Sequence, residues 1–508
     1  MTVSTATLTP GAHAAPGAGA VAEPDDWAGL LHRAAQADYD RWLSHITPAA
    51  GCRYPIQLAG RSRTADASTG EILADLDTAR FPDGVLYTAC GNRRASVCPS
   101  CAETYRGDTF HLVRSGLLGG KGVPDTVAEH PTVFVTLAAP SFGEVHTAHK
   151  TGKPCHPRRE PHICPHGITF SCLRRHESGD QWAGQPFCLD CYDHFSQVVF
   201  NAYAGELWRR TTINLRRAVG RLGKDYGVKL RVSYAKVAEF QARGVVHFHA
   251  LIRLDGVDPA DPAAIVAPDP RIHPATFEHT IRQAAASTSF RTPAHPDQPD
   301  GWPMAWGHRS IDTRQVKLTV RDTDDSGALT DGAVAGYLAK YATKATEETG
   351  HVSRRLTHET VGYHADMHTH PGRLIAACWY LGQLPDGLAY LDDDVSERIA
   401  FQHRWARLHR WAHQLGFGGH FSTKSRRYST TLGALRAARR SWNRPDPEQP
   451  PTEPTEPGDE PDILTLGQLI FAGIGWHTSA DAQLANTAAA QARERRQAAR
   501  EELETFPP

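Results

Sequence analysis

The sequence has little that assigns its class at once. Among its 508 residues no apolar run approaches the about 18 residues that cross a membrane. Residues 1–26 have neither a basic start nor a continuous apolar segment, so we predict a disordered leader rather than a signal peptide. Neither sign of charge dominates, since 55 Lys and Arg stand against 56 Asp and Glu. These absences predict a soluble, cytoplasmic protein of several domains with no membrane partner.

Cysteine is nearly absent outside one region, because nine of the ten cysteines lie between residues 52 and 191. In a reducing compartment, clustered cysteines more often bind metal or fill the core than form disulfides. A Cys-x2-Cys pair with another cysteine upstream supplies three thiolates, and a fourth completes a tetrahedral structural zinc site. This site is predicted within an N-terminal zinc-binding region at residues 27–125. Its predicted ligands are Cys52, Cys90, Cys98 and Cys101.

A second group of cysteines and histidines lies in a predicted insertion at residues 150–195. It ends in another Cys-x2-Cys pair with cysteines upstream, which predicts a second structural zinc. The ligands predicted for this zinc are Cys164, Cys172, Cys188 and Cys191. Cys155, His156 and His166 stay open as substitutes, because the spacing does not rank them.

A hairpin of two β-strands with a tight turn is predicted for Arg231–Leu254. β-Branched and aromatic residues alternate on both sides of Gly244, which can adopt a positive φ. The two-residue period of a strand points His247 and His249 to one face, where two neutral imidazoles can bind a divalent metal. A three-residue turn places Glu239 opposite His247 as a third ligand, whereas a two-residue turn removes it from that face.

The His-x-His spacing is a weak signal by itself. With 28 His in 508 residues, chance alone gives about 1.5 such pairs. A second pair, His368 and His370, lies in polar surroundings without a strand pattern. The rest of the chain therefore has to decide between a metal site and ordinary strand histidines.

The predicted elements from residue 130 onward follow the order β, α, β, β, α, β, α. They are the strand Thr132–Ala139, the helix Asp193–Tyr226, the hairpin, the helix Thr276–Ser287, the strand Ser310–Val320 and the helix Asp331–Thr346. This order predicts an α+β fold with a ferredoxin-like antiparallel sheet and helices on one face, over residues 130–346. A mainly helical C-terminal region is predicted to follow.

Two tyrosines lie four residues apart on the last of these predicted helices, so their phenols share one face. Tyr337 and Tyr341 are each followed three positions later by a lysine, Lys340 or Lys344. A phenol has a pKa of about 10 and attacks a phosphodiester poorly unless a cation neutralises the phosphate charge. Such spacing usually marks a packing face. Beside a candidate metal site, it predicts tyrosine attack on a DNA phosphodiester.

Several motifs carry a family resemblance. The segment His247–His249 resembles the His-hydrophobic-His signature of the HUH endonucleases, and Thr132–Ser141 resembles their first motif. Val334–Lys340, extended by Tyr341, resembles their third motif in its two-tyrosine form. The cysteine-rich first third and Leu415–Arg444 resemble the RepSA-like replication initiators of actinomycete plasmids and integrative elements.

This resemblance implies an HUH nuclease domain and rolling-circle replication. It implies Mg²⁺ or Mn²⁺ at the metal site, a tyrosine linked to the DNA 5′ end, and a free 3′-OH that primes synthesis. Tyr337 fits the motif frame and is favoured for the first attack, although either tyrosine can act. The implied partners are single-stranded and duplex origin DNA and the host helicase and polymerase. Two alternatives stay open: a two-tyrosine HUH transposase acting on transposon ends, and a non-catalytic zinc-containing DNA-binding regulator.

A basic DNA-binding region is predicted at residues 351–444. Its last part, Phe417–Arg444, has seven Lys or Arg and no acid, with Tyr428 and Trp442 interleaved. This composition suits phosphate contacts, with a solvated basic face as the alternative. The DNA contacts predicted from it are Lys424, Arg426, Arg427, Arg436, Arg439 and Arg440.

The end of the chain carries no readable chemistry. Residues 445–462 hold seven prolines, seven acids and no basic residue, so they predict an extended, disordered linker. Residues 463–508 are predicted to be a partly helical tail. Val395–Gly416 has apolar residues at helical spacing and is predicted to be core.

Overall fold

A computed structural model describes most of the chain. The described residues are 27–67, 69–149, 152–177, 179–316, 335–336, 338, 355–384, 401, 404–442 and 463–505. The strands are Ile56–Asp66 (β1), Ile72–Asp77 (β2), Leu86–Thr88 (β3), Thr132–Leu137 (β4), Leu230–Phe240 (β5), Val246–Gly256 (β6), Ser289–Arg291 (β7), Pro303–Ala305 (β8), Ile311–Gln315 (β9), Ser422–Lys424 (β10) and Ile463–Ile474 (β11). The α-helices are Trp27–Ala34 (α1), Tyr39–Ile46 (α2), Pro99–Leu118 (α3), His194–Asp225 (α4), Pro274–Ala286 (α5), His370–Gly382 (α6), Arg407–Trp411 (α7), Leu432–Trp442 (α8) and Ser479–Thr505 (α9).

The chain divides into two compact units, and residues 1–105 with 444–508 form the first. Its sheet is built on β1, which pairs antiparallel with β2, β3 and β11. β11 pairs along the whole of β1, from Ile56 opposite Ile474 to Asp66 opposite Ile463. The partly helical tail predicted for residues 463–508 contains strand β11 and helix α9. Both elements belong to the same compact unit as β1.

Residues 106–443 form the second unit, whose main sheet has the order β10-β5-β6-β4-β9 with antiparallel neighbours. Helix α4 connects β4 to β5, and α5 lies between β6 and β9. Four of these strands and the two helices have the order of the split βαβ arrangement. The predicted α+β class with an antiparallel sheet is therefore confirmed. Strand β6 is buried along its whole length, as a central strand covered on both faces should be.

The two faces of this sheet differ in chemistry. On one face Phe248 contacts Trp208 of α4 and Trp306 edge-on, with ring centroids 6.1 and 5.7 Å apart, inside the main hydrophobic core. The opposite face of β6 carries polar side chains, among them His247, His249 and the fully buried Arg253. The sheet thus separates a conventional core from a polar face that can hold a site.

Helix predictions in the C-terminal half have mixed outcomes. Trp405 and Leu408 are fully buried in the core cluster, which confirms that this segment packs rather than presents aromatic rings. The helix predicted at Asp331–Thr346 lies outside the described residues except at three positions. Of these, Ala335 and Leu338 are helical and fully buried. Among the described residues, we find no helix both long and apolar enough to cross a membrane.

Candidate metal centres

The turn between β5 and β6 decides whether Glu239 reaches the two histidines. The Gln241 amide donates to the Val245 carbonyl at 2.9 Å, which closes a three-residue turn. Gly244 takes a φ of +75°, and a Cβ there would lie 2.6 Å from Leu415 Cδ1, so glycine avoids both backbone strain and a close contact at this position. The resulting register pairs Glu239 with His247. The structure therefore has the turn that places the carboxylate on the histidine face.

Three side-chain atoms converge on that face. Glu239 Oε2 lies 3.1 Å from His247 Nε2 and 3.2 Å from His249 Nε2, and the two Nε2 atoms are 2.7 Å apart. Two neutral imidazoles at this distance would need a proton between them, or a cation beside both. Two nitrogens and one carboxylate oxygen on one side suit an ion such as Mn²⁺ and leave coordination positions open on the other. The residues present therefore fit a divalent metal.

The electrostatics favour the protonation states that bind metal. Burial raises the pKa of Glu239, but hydrogen bonds from the two histidines outweigh it and hold that pKa at about 2. Burial lowers the pKa of His249. At neutral pH the site therefore presents a charged carboxylate and a neutral imidazole at His249, which are the forms that bind a cation.

Thr136 orients one of the ligands, and sequence reasoning did not single it out. On β4, its Oγ1 lies 3.0 Å from His249 Nδ1, and the two residues are direct partners across the strands. A partner on Nδ1 fixes the imidazole so that Nε2 faces the metal position. The signal was present, since Thr136 lies within the segment that resembles the first motif, but its pairing with β6 was not assigned.

Polar side chains of α4 hold the turn itself. Asn201 Nδ2 donates to the carbonyls of Gly244 and Leu415, both at 2.9 Å, and its Oδ1 accepts from the Val246 amide at 2.9 Å. Gln197 Nε2 donates to the Arg243 carbonyl at 2.8 Å. These buried bonds satisfy the polar backbone of the turn and fix the position of both strands that carry the site.

The first predicted zinc ligands converge in the N-terminal unit. Cys52 Sγ lies 3.9 Å from Cys98 Sγ and 3.7 Å from Cys101 Sγ, and Cys90 Sγ lies 3.7 Å from Cys101 Sγ. The Arg53 amide donates to Cys98 Sγ at 3.4 Å, a contact that favours the thiolate. Four sulfurs at such separations match the donor set of a tetrahedral structural zinc.

The second predicted ligand set is partly wrong. Cys164, Cys188 and Cys191 converge, but the fourth donor is His166 and not Cys172. His166 Nδ1 lies 3.3 Å from Cys191 Sγ and 3.5 Å from Cys188 Sγ. Cys172 lies in another group because its backbone amide and carbonyl pair with those of His156. A histidine two positions after Cys164 was the available signal.

Cys172 belongs to a third group of donors that the sequence did not predict as a site. In it His146, Cys155, Cys172 and His176 each offer one atom, and these atoms all lie within 4.8 Å of one another. His156, one of the residues left open as a substitute, contacts this group through Cys155, with its Nδ1 3.1 Å from the sulfur. The segment between β4 and α4 thus contains two donor groups.

The four candidate catalytic residues of the predicted tyrosine helix lie outside the described residues. They are Tyr337, Lys340, Tyr341 and Lys344.

The basic segment divides into side chains with different roles. Lys424 Nζ donates to the Ser429 carbonyl at 2.8 Å and braces the loop, and burial lowers the pKa of Lys424. Arg439 forms an ion pair with the buried Asp108. Tyr428 is fully buried and cannot stack on a base.

Arginines remain at the surface of the same segment. Arg426 and Arg436 are exposed, and Arg427 is half-buried. The side chain of Arg440 lies outside the described residues. The exposed arginines are the ones able to reach phosphates.

The fold and these groups define an α+β protein with a carboxylate-histidine cluster on its sheet that could hold a metal ion, and with several Cys/His donor groups. The chain belongs to the RepSA family of replication initiators, since the family described as "RepSA: Replication initiator protein, pSAM2" matches residues 38–490. It is 41% identical over 488 residues to a replication initiator protein of Streptomyces ambofaciens, across 94% of this chain and 96% of that protein. No solved structure matches the chain.

Proposed function

We propose that this protein starts rolling-circle replication by nicking one strand of its origin DNA, as a metal-dependent single-strand endonuclease and strand transferase. The observation that carries the proposal is the convergence of Glu239, His247 and His249 on the polar face of the sheet. Mg²⁺ or Mn²⁺ bound there would neutralise and polarise the scissile phosphodiester. The replication-initiator family supports DNA as the substrate.

The proposed nucleophile is the phenol of Tyr337, with Tyr341 able to act in a second cleavage. In the step, a bond forms between the phenolic oxygen and phosphorus while the bond from phosphorus to the 3′-oxygen breaks. The phenolic proton is transferred, in net terms, to the leaving 3′-oxygen. The products are a 5′-phosphotyrosine and a free 3′-OH that serves as a primer. Lys340 and Lys344 are proposed to stabilise the negative charge around the phenols.

The remaining groups have structural and binding roles in this proposal. The Cys52 and Cys164 groups each bind a structural zinc, which stabilises the loops that carry their ligands. Arg426, Arg427 and Arg436 contact duplex DNA beside the nick. A host helicase then separates the strands and a host polymerase extends the 3′-OH, in the cytoplasm where the replicon resides.

A nicking assay with variants tests the proposal. Labelled single-stranded oligonucleotides that tile both strands of the replicon's origin region are incubated with Mg²⁺ or Mn²⁺. We expect site-specific cleavage, its loss in the double variant His247→Ala and His249→Ala, and no change in His368→Ala. His368 is a matched control because it is exposed and has the same His-x-His spacing.

Two results of this assay would contradict the proposal. Cleavage retained in the folded double variant would refute the metal site. Normal cleavage by Tyr337→Phe, by Tyr341→Phe and by the double variant would refute the assignment of these tyrosines as nucleophiles.

A further inference from the structure

We propose that His146, Cys155, Cys172 and His176 bind a third zinc ion, in a module cross-braced with the Cys164 group. The two groups of donors lie in the same segment, between β4 and α4. The inference concerns metal content and does not depend on the nicking activity.

The donor distances fit a tetrahedral ion. Cys155 Sγ lies 3.7 Å from His146 Nδ1, and Cys172 Sγ lies 3.5 Å from His176 Nε2. Zinc bonds of about 2.0–2.3 Å at tetrahedral angles place neighbouring nitrogen and sulfur donors about 3.4–3.8 Å apart. Cys155, Cys172 and His176 are also buried, so these polar groups are withdrawn from water as a closed structural site requires.

Neighbouring groups orient the donors toward the same point. Asp180 Oδ2 accepts from His176 Nδ1 at 2.8 Å, which leaves the lone pair of Nε2 directed at Cys172. The Trp182 amide donates to Asp180 Oδ1 at 2.9 Å and holds the carboxylate in place. The Thr147 amide donates to Cys155 Sγ at 3.2 Å and favours its thiolate. A carboxylate behind a ligating histidine is the usual arrangement at zinc sites.

The ligands of the two groups alternate along the chain. In chain order, the donor pairs are His146 with Cys155, Cys164 with His166, Cys172 with His176, and Cys188 with Cys191. The first and third pairs form one site, and the second and fourth pairs form the other.

This alternation couples the two sites. A metal at the third site closes the loop between Cys155 and Cys172, which contains Cys164 and His166. The backbone supports this arrangement, because the Cys155 amide donates to the Arg174 carbonyl and the Cys172 amide to the His156 carbonyl, at 2.9 and 3.0 Å. Each metal therefore lowers the loop-closure cost of the other, and loss of one should loosen the other.

Metal counting on the full-length protein tests the proposal. Zinc per chain is measured by elemental mass spectrometry for the wild type, Cys172→Ser, His156→Ala and Cys378→Ala. We expect Cys172→Ser to hold at least one zinc fewer than the wild type and the other two variants to keep the wild-type number. His156 contacts Cys155 without joining the donor group, and Cys378 is a fully buried cysteine of α6, so both are matched controls.

A second variant covers the case in which Cys172→Ser does not fold. Asp180→Asn keeps all four ligands and removes only the orienting carboxylate, so the zinc affinity of one site should fall roughly 10-fold or more. Chelator competition should also release zinc from the Cys164 group faster in this variant.

The opposite results overturn the proposal. Equal zinc in the wild type and Cys172→Ser would show that the third group binds no metal. A Cys155–Cys172 disulfide, found by peptide mass mapping of protein purified under reducing conditions, would refute it too. Unchanged release from the Cys164 group in Asp180→Asn would refute the cross-bracing. None of these outcomes bears on DNA nicking, which is measured separately.

Discussion

Asp255 shows how strongly single residues of the polar sheet face depend on their partners. Its carboxylate accepts from Ser233 Oγ at 2.6 Å, Arg253 Nε at 2.7 Å and His130 Nδ1 at 2.8 Å. The side chains of both Arg253 and Asp255 are fully buried, so this ion pair has no contact with solvent. Arg253 also donates to the Tyr428 carbonyl at 3.2 Å. This network fills the part of the face beyond the metal centre and replaces solvent with fixed charges.

Removing the carboxylate should be costly. Asp255→Ala leaves the buried guanidinium of Arg253 unpaired, so we expect a loss of about 3–5 kcal/mol in the free energy of unfolding. Asp312→Ala removes the partner of Arg314 at an exposed ion pair and should change stability by less than about 1 kcal/mol. Denaturant unfolding followed by circular dichroism compares the two. Equal stability of the two variants would contradict the account of the buried pair.

Residue roles were predictable where local geometry decides them. The two-residue period of a strand predicted that His247 and His249 share one face. The glycine in the turn allowed a three-residue turn, which places Glu239 opposite His247. Cys172 was assigned to the wrong group because its partner is chosen by backbone pairing with His156, which spacing does not reveal.

At the scale of elements, helix α4 and the turn after β5 act as one unit. Asn201 alone makes three hydrogen bonds to backbone groups around the turn. The hairpin that carries Glu239, His247 and His249 is therefore positioned by a helix on the opposite face of the sheet from those side chains.

Asn201→Ala should weaken metal binding without touching a ligand. The change leaves buried backbone groups unpaired, at a cost of about 1–3 kcal/mol, and frees the turn that aligns Glu239 with His247. We expect Mn²⁺ affinity, measured by calorimetric titration, to fall roughly 10-fold. Asn214→Ala, on the same helix with a single bond to Thr288 at 3.0 Å, is the control and should retain the affinity. Unchanged affinity in Asn201→Ala would contradict the positioning role.

Elements built from local pattern were predictable, and elements that depend on distant partners were not. The alternation in β5 and β6 is visible in the sequence. Strand β11 was not assigned, because its apolar residues have no polar alternation and its partner β1 lies near the other end of the chain.

For the second unit as a whole, a buried histidine pair links stability to pH. His194 Nε2 lies 3.1 Å from His370 Nδ1, and His370 Nε2 donates to the Arg243 carbonyl at 2.9 Å. Burial, with a smaller contribution from a nearby cation (Arg373 for His194 and Arg243 for His370), lowers the pKa of each to about 4. The folded protein therefore resists protonation of groups that the unfolded chain protonates near pH 6.5.

The unit should lose stability as the pH falls from about 6.5 to about 4, because only the unfolded state takes up these protons. Each histidine contributes on the order of 3 kcal/mol to the full loss. His370→Gln should unfold at a lower temperature than the wild type at pH 7 but show a shallower decline below pH 6.5. Thermal unfolding across this range checks the prediction, and a wild-type melting temperature independent of pH there would contradict it.

Duplex binding is a property of the whole molecule that the surface arginines should control. Arg426→Glu with Arg427→Glu should weaken binding to origin duplex and reduce the slope of log K against log salt by about 2, one for each lost phosphate contact. Arg209→Glu on α4 is an exposed control that should leave the slope unchanged. An unchanged slope in the double variant, measured by fluorescence anisotropy, would assign this segment to a solvated surface.

The central claim is that a tyrosine of this chain becomes covalently joined to DNA at the Glu239, His247 and His249 centre. The most direct measurement incubates the protein with cleaved-strand origin oligonucleotide and Mn²⁺, isolates the adduct on a denaturing gel and maps the modified peptide by mass spectrometry. We predict an adduct on Tyr337 or Tyr341 that needs the metal and disappears in His247→Ala with His249→Ala. Cleavage of the oligonucleotide without any protein adduct, or an adduct on another residue, would contradict the account.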